Sequence, residues 1–145
     1  MSVIKFEELT VEYIHNVLSD SAFTVEIDDD KDVYITGSQI DFPCWIQFSH
    51  ESFYIKLFTF INFNEQVKRS EAYEFVNNLN RSIVFPRFWL VENDDEDNFK
   101  LHSDYFIDVE ISLDTTYLLK SLNRFSSAFN YSLTFDKDVY YFCYE

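Results

Sequence analysis

The sequence predicts an α+β fold: a largely antiparallel sheet of about six strands with helices packed on one face, in the order α-β-β-β-β-α-β-β-α. Segments alternating apolar and polar side chains at period two are joined by short polar turns, the signature of hairpins. Other segments repeat their apolar residues at helical spacing. Only two prolines, Pro43 and Pro86, and a single glycine, Gly37, punctuate the chain. No linker or repeat divides it, so residues 1–145 read as one domain.

The first helix is expected to start with Thr10 as its cap and to run to about Leu18, with Ile14, Val17 and Leu18 inward. Phe23 to Asp28 alternates as a half-buried strand, Asp29 to Asp32 form the turn, and Val33 to Thr36 return. Cys44 to Ser49 and Phe53 to Ile61 form the next hairpin, around His50-Glu51-Ser52. Ala72, Phe75, Val76 and Leu79 make one helical stripe, ending near Asn80. Strands at Val84 to Val91 and Phe99 to Val109 follow, joined by the acidic turn Asn93 to Asn98. The third helix is capped by Asp114, with Leu113 and Leu118 placed for a hydrophobic staple and Leu118, Leu122, Phe125 and Phe129 inward. Val139 to Tyr144 is expected as a short strand or a frayed helical end.

Composition excludes whole classes of function. A chain this long would ordinarily hold about ten glycines, and with Gly37 alone it has no phosphate-cradling loop or dinucleotide fingerprint. The formal charge of −15 argues against nucleic-acid binding, which needs clustered Lys and Arg. The longest uncharged stretch runs only from Phe125 to Phe135, short of the ~20 residues that span a bilayer. Carboxylates at Glu7 and Glu8 precede any apolar run, so no signal peptide is read and the cytoplasm is the expected compartment. Cys44 and Cys143 are expected as two buried free thiols.

Phe23-Thr-Val-Glu-Ile-Asp-Asp-Asp-Lys-Asp-Val-Tyr-Ile35, Phe42-Pro-Cys-Trp-Ile46, Leu79-Asn-Arg81, Phe85-Pro-Arg-Phe-Trp-Leu90 and Leu101-His-Ser-Asp104 together resemble the YbjN family. The resemblance covers roughly residues 10 to 130. It implies a fold similar to that of type III secretion chaperones, and a non-enzymatic regulator or chaperone-like module. Family members generally place glycine in the hairpin turns, where this chain has runs of Asp, Glu and Asn. No functional residue carries across.

Candidate sites were weighed from the residues. Asp28, Asp29, Asp30 and Asp32 open like a calcium loop, but Val33 stands where glycine is needed and Gln39 where glutamate should coordinate. His15, His50, His102 and the cysteines lack short ligand spacing, so no metal or cofactor is expected. No residue lies in a recognisable nucleophile context, and no catalytic residue is assigned. The cluster Glu92, Asp94, Asp95, Glu96 and Asp97 carries more charge than a turn requires and reads as an electrostatic lure for a basic protein.

With 17 Phe, 10 Tyr and 2 Trp, the chain has rings beyond what one core absorbs. Strand alternation sends Tyr34, Trp45, Tyr54, Phe58, Phe60, Phe88, Leu90 and Phe106 to the face away from the helices, where polar residues are usual. These eight, with Asp29, Asp30, Asp94, Asp95, Glu96 and Asp97, are the expected partner-binding residues. The expectation is a module that sequesters a basic protein, as an immunity protein blocking a toxin or a chaperone-like holder of a secreted client. The alternative is a YbjN-like regulator of stress or signalling acting as a homodimer. The two acidic turns are expected at opposite ends of the sheet.

Overall fold

Thr10 begins the first helix by accepting the Tyr13 N–H at 3.0 Å on its side-chain oxygen, satisfying a donor that every helix start leaves unpaired. Helix α1 (Val11–Asp20) buries Ile14 and Leu18. The computed structural model describes residues 2–92 and 98–144. Helix α2 (Arg69–Ser82) buries the stripe Ala72, Phe75, Val76 and Leu79. Helix α3 (Thr115–Ser132) is capped by Asp114, whose carboxylate accepts the Thr116 and Tyr117 N–H groups. Leu113 and Leu118 are shut into the same buried cluster, as a staple requires.

Eight strands follow in chain order: β1 (Val3–Lys5), β2 (Thr24–Ile27), β3 (Val33–Thr36), β4 (Cys44–Gln47), β5 (Tyr54–Asn62), β6 (Arg87–Glu92), β7 (Phe99–Asp108) and β8 (Ser112–Asp114). Six form one antiparallel sheet in the order β2-β3-β4-β5-β7-β6. The fold is therefore α+β, as the hairpin pattern predicts. The small sheet of β1 and β8 was not legible, because three residues are too few for an alternation to stand out from its surroundings. The segment Val139 to Tyr144 forms neither strand nor helix. It makes a single bridge between Phe63 and Phe142 and is fastened by Asp136, which accepts the Tyr140, Tyr141 and Phe142 N–H groups.

All three helices contact the inward face of the sheet. One buried cluster lies between α1, the start of α3 and β3 to β5, with Ile35, Ile46, Ile55 and Leu57 from the strands. A second lies under α2 and the end of α3, with Ile61, Phe88 and Leu101. Each fully buried side chain of this size contributes about 1.5–3 kcal/mol. Gly37 turns the chain after β3 at φ +92°, and a Cβ there would meet Thr24 Oγ1 at 2.9 Å, so only glycine fits without strain.

Strand β6 corrects the expectation for two residues. Phe88 is buried against Phe129, and Leu90 packs on the same inner cluster, while Trp89 takes the outward position. Phe88-Trp-Leu-Val91 is apolar at both parities, so alternation alone does not orient it. The neighbours do: Asn80 of α2 brackets the Phe88 backbone, donating to its carbonyl at 2.8 Å and accepting its N–H at 3.0 Å. Asp104 holds Arg87 and Trp89 on the other side.

Candidate functional site

The outward face of the sheet carries a row of rings across its strands. Tyr34 on β3 stacks on Trp45 of β4 (4.6 Å between centroids, 25° between planes). Trp45 stacks on both Phe58 and Phe60 of β5, at 5.6 Å and 11° and at 5.2 Å and 9°. Phe58 in turn stacks on His102 of β7 at 5.8 Å, and His102 meets Trp89 of β6 at 4.6 Å. Near-parallel planes at these separations cannot lie side by side in one plane. The rings therefore overlap one another's faces in part, which leaves Tyr34, Trp45, Phe58, Phe60 and His102 half-buried. Tyr54 and Phe106 pack edge to face beside the row.

None of these rings belongs to a buried cluster, and Tyr54, Trp89 and Phe106 are 44%, 38% and 42% exposed. Six of the eight expected face residues are thus brought together: Tyr34, Trp45, Tyr54, Phe58, Phe60 and Phe106. Phe88 and Leu90 are not.

Cations accompany the rings. Lys56 Nζ lies 5.1 Å from the Phe58 centroid and Lys100 Nζ 4.7 Å from that of Phe60. The Arg87 guanidinium lies over Trp89 and Phe106 at 5.8 and 5.9 Å. It holds Asp104 through two bonds of 2.8 and 2.7 Å, and the Trp89 indole N–H adds a third at 3.2 Å. Burial pushes the Asp104 carboxyl up, but the hydrogen bonds and charge of Arg87, with help from Trp89, outweigh it and hold the group below the usual carboxylate range. At His102 burial leads, and with Lys56 it depresses the imidazole to about 4. That ring is neutral at pH 7, and its Nε2 is buried without a hydrogen-bond partner.

Lys56, Arg87, Trp89, Lys100 and His102 also stand on this face, beyond the residues that the sequence assigned to it. A usable signal was present: Lys56 shares the parity of Phe58 and Phe60, and Lys100 and His102 share that of Phe106.

The first acidic turn lies beyond the Ile27–Val33 end of the sheet. Asp28 Oδ1 accepts the N–H groups of Asp30 and Asp32, both at 3.0 Å, and Lys31 takes φ 66°. The carboxylates of Asp28, Asp30 and Asp32 converge within 4.8 Å, whereas Asp29 stands exposed outside the group. Burial first, then Asp28 and Asp30, push the Asp32 carboxyl up. The turn closes on itself through these bonds. β6 leaves the sheet at Glu92 and β7 enters at Phe99, at the opposite end. Asp94, Asp95, Glu96 and Asp97 lie outside the described residues.

Cys44 is buried, and its burial pushes the thiol up to about 12. Cys143 is exposed, which corrects the expectation of two buried thiols, because the C-terminal segment runs over the surface beside Asn64. An open groove of about 740 Å³ lies between Gln39, Asp41 and the α3 side chains Asn123, Arg124 and Ser127. Its Arg124 lies over the Phe85 ring at 5.2 Å.

A family model for YbjN, described as "Putative bacterial sensory transduction regulator", matches residues 10–114. The chain belongs to the YbjN family. The ring row and both core clusters draw on that matched stretch, and the YbjN-like segments quoted from the sequence fall within it. No curated protein matches the sequence. Among solved structures, the crystal structure of YbjN from E. coli, "a putative transcription regulator", superposes with a TM-score of 0.76 at 10% identity, covering 93% of this chain and 96% of that one. At that identity the YbjN match speaks for the fold. Among the described residues, no helix is long and apolar enough to cross a membrane.

Proposed function

We propose that this chain is a non-enzymatic regulatory module that holds a protein partner against the outward face of its sheet. The observation that carries this reading is the ring row from Tyr34 to Trp89, on which no described helix packs: its inner rings are half-buried among themselves, while Trp89 and the neighbouring Tyr54 and Phe106 are exposed. Helices pack on the other face only, and contiguous exposed aromatic surface marks interfaces, where Trp and Tyr supply most of the contact energy. The acidic turn at Asp28 to Asp32 stands beyond one end of the row. There it steers the basic surface of an approaching partner without occupying the contact itself. Sequestration is common to an immunity protein blocking a basic toxin and to a chaperone-like holder of a client. A homodimer through this face fits less well. An isologous contact sets the same patch of two chains together, and two chains of charge −15 repel one another on approach.

The test compares Trp45→Ser with Phe58→Ser in one chain against Tyr131→Ser on the helical side, measuring co-purification of the partner from the native cell and its association rate at rising salt. The ring variant is expected to lose the partner while Tyr131→Ser keeps it, and the rate is expected to fall with salt. Full partner retention by the ring variant, or a salt-independent rate, contradicts the proposal.

A further inference from the structure

Acids outnumber bases 26 to 11 over the whole chain, yet on the outward face of β4 to β7 the balance reverses. Lys56, Arg87 and Lys100 stand among the rings, and the carboxylates there are Asp104, held by Arg87, and Asp108 at the strand end. Neither lysine forms an ion pair among the described residues. Lys56 lies opposite Phe106, and Lys100 lies opposite Asn62. The backbone positions of the two lysines are thus six residues apart along β5, roughly 20 Å at the rise of an antiparallel strand, and their ammonium groups lean inward over the rings. They bracket Phe58 and Phe60.

Each ammonium group lies over one of the rings between them, Lys56 over Phe58 and Lys100 over Phe60, whose other contacts are stacking on Trp45 and His102. The ammonium groups attract carboxylates and carbonyl oxygens. We infer that the segment of the partner seated on this face is an extended, acidic stretch of polypeptide, with two carboxylates about six residues apart on either side of apolar side chains. This rests on the reading that the face docks a polypeptide, and adds its chemistry. Nucleobases need open ring faces to stack upon, and Trp45, at the centre of the row, is flanked by Tyr34 of β3 on one side and by Phe58 and Phe60 of β5 on the other.

The experiment is fluorescence anisotropy with labelled nine-residue peptides that carry Leu at positions 4 and 6 and either Glu, Gln or Lys at positions 2 and 8, alongside oligothymidylate. The Glu peptide is expected to bind about tenfold tighter than the Gln peptide, the scale of two partly screened ion pairs. That advantage is expected to vanish in the Lys56→Gln Lys100→Gln protein, and the Lys peptide is expected to bind weakest to the unaltered protein. Equal binding of the Glu and Gln peptides, preference for the Lys peptide or the oligonucleotide, or no binding at all overturns the inference. If Glu and Gln peptides bind equally and both are lost in Trp45→Ser, the acidic chemistry fails while the docking face stands. Binding indifferent to Trp45→Ser removes both.

Discussion

Replacing His102 by phenylalanine probes the physics of the ring row directly. The imidazole sits between Phe58 and Trp89 with a buried nitrogen that no group satisfies. His102→Phe keeps a ring in the stack and removes that nitrogen. A buried polar atom left unpaired costs about 1–3 kcal/mol, and the partial exposure of this ring places the gain at pH 7.5 near the lower end. The pH dependence follows from linkage. In the unfolded chain the imidazole takes its proton near 6.5, and in the folded chain near 4. Its contribution is therefore complete above about 6.5, declines as pH falls toward 4, and is constant below. The full separation would be worth about 3 kcal/mol at 1.36 kcal/mol per unit, and solvent screening reduces this to about 1–2 kcal/mol. Asp104, held below the carboxylate range, loses its stabilising effect as pH falls through that range. Both proteins share that loss, so it largely cancels in the difference. Urea unfolding at pH 7.5 and 4.5 should show the variant ahead at both, with the gap about 1–2 kcal/mol wider in acid. A gap that does not change with pH, or a variant less stable at pH 7.5, would refute the reasoning.

The orientation of β6 predicts unequal costs for neighbouring residues: Phe88→Ala should lower unfolding free energy by about 3–5 kcal/mol, and Trp89→Ala, 38% exposed, by about 1–2 kcal/mol. Similar losses in chemical denaturation would mean the strand faces the other way. A thiol reagent should modify one cysteine of the native protein, Cys143, and reach Cys44 only after denaturation, since Cys44 is buried with its thiol pushed up to about 12. Two equivalents reacting at the native rate would contradict that burial.

What the sequence made legible depended on whether one parity of an element was polar. In α2 one face was polar and the buried stripe emerged residue for residue; in α3 the apolar positions Leu118, Leu122, Phe125 and Phe129 emerged, while the buried Thr115, Ser121, Ser126 and Ser132 did not, because small hydroxyl residues read as polar. In β3 to β5 the inward positions Val33, Ile35, Ile46, Ile55 and Leu57 were aliphatic while the outward ones were rings, so two apolar faces could still be told apart. In β6 both parities were apolar, and the deciding contacts came from Asn80 and Asp104, distant in sequence. The charge of the site was hidden for another reason. A net charge of −15 is a property of the chain, whereas a partner meets the local face, where Lys56 and Lys100 dominate.

The central claim is that another polypeptide covers the outward rings. It is tested most directly by photo-crosslinking in the native cell, with benzoylphenylalanine at Trp45 on the ring row or at Tyr131 on α3. The account predicts a discrete protein adduct from position 45 and none from position 131. Equal adducts at both positions, or none at 45, would contradict it.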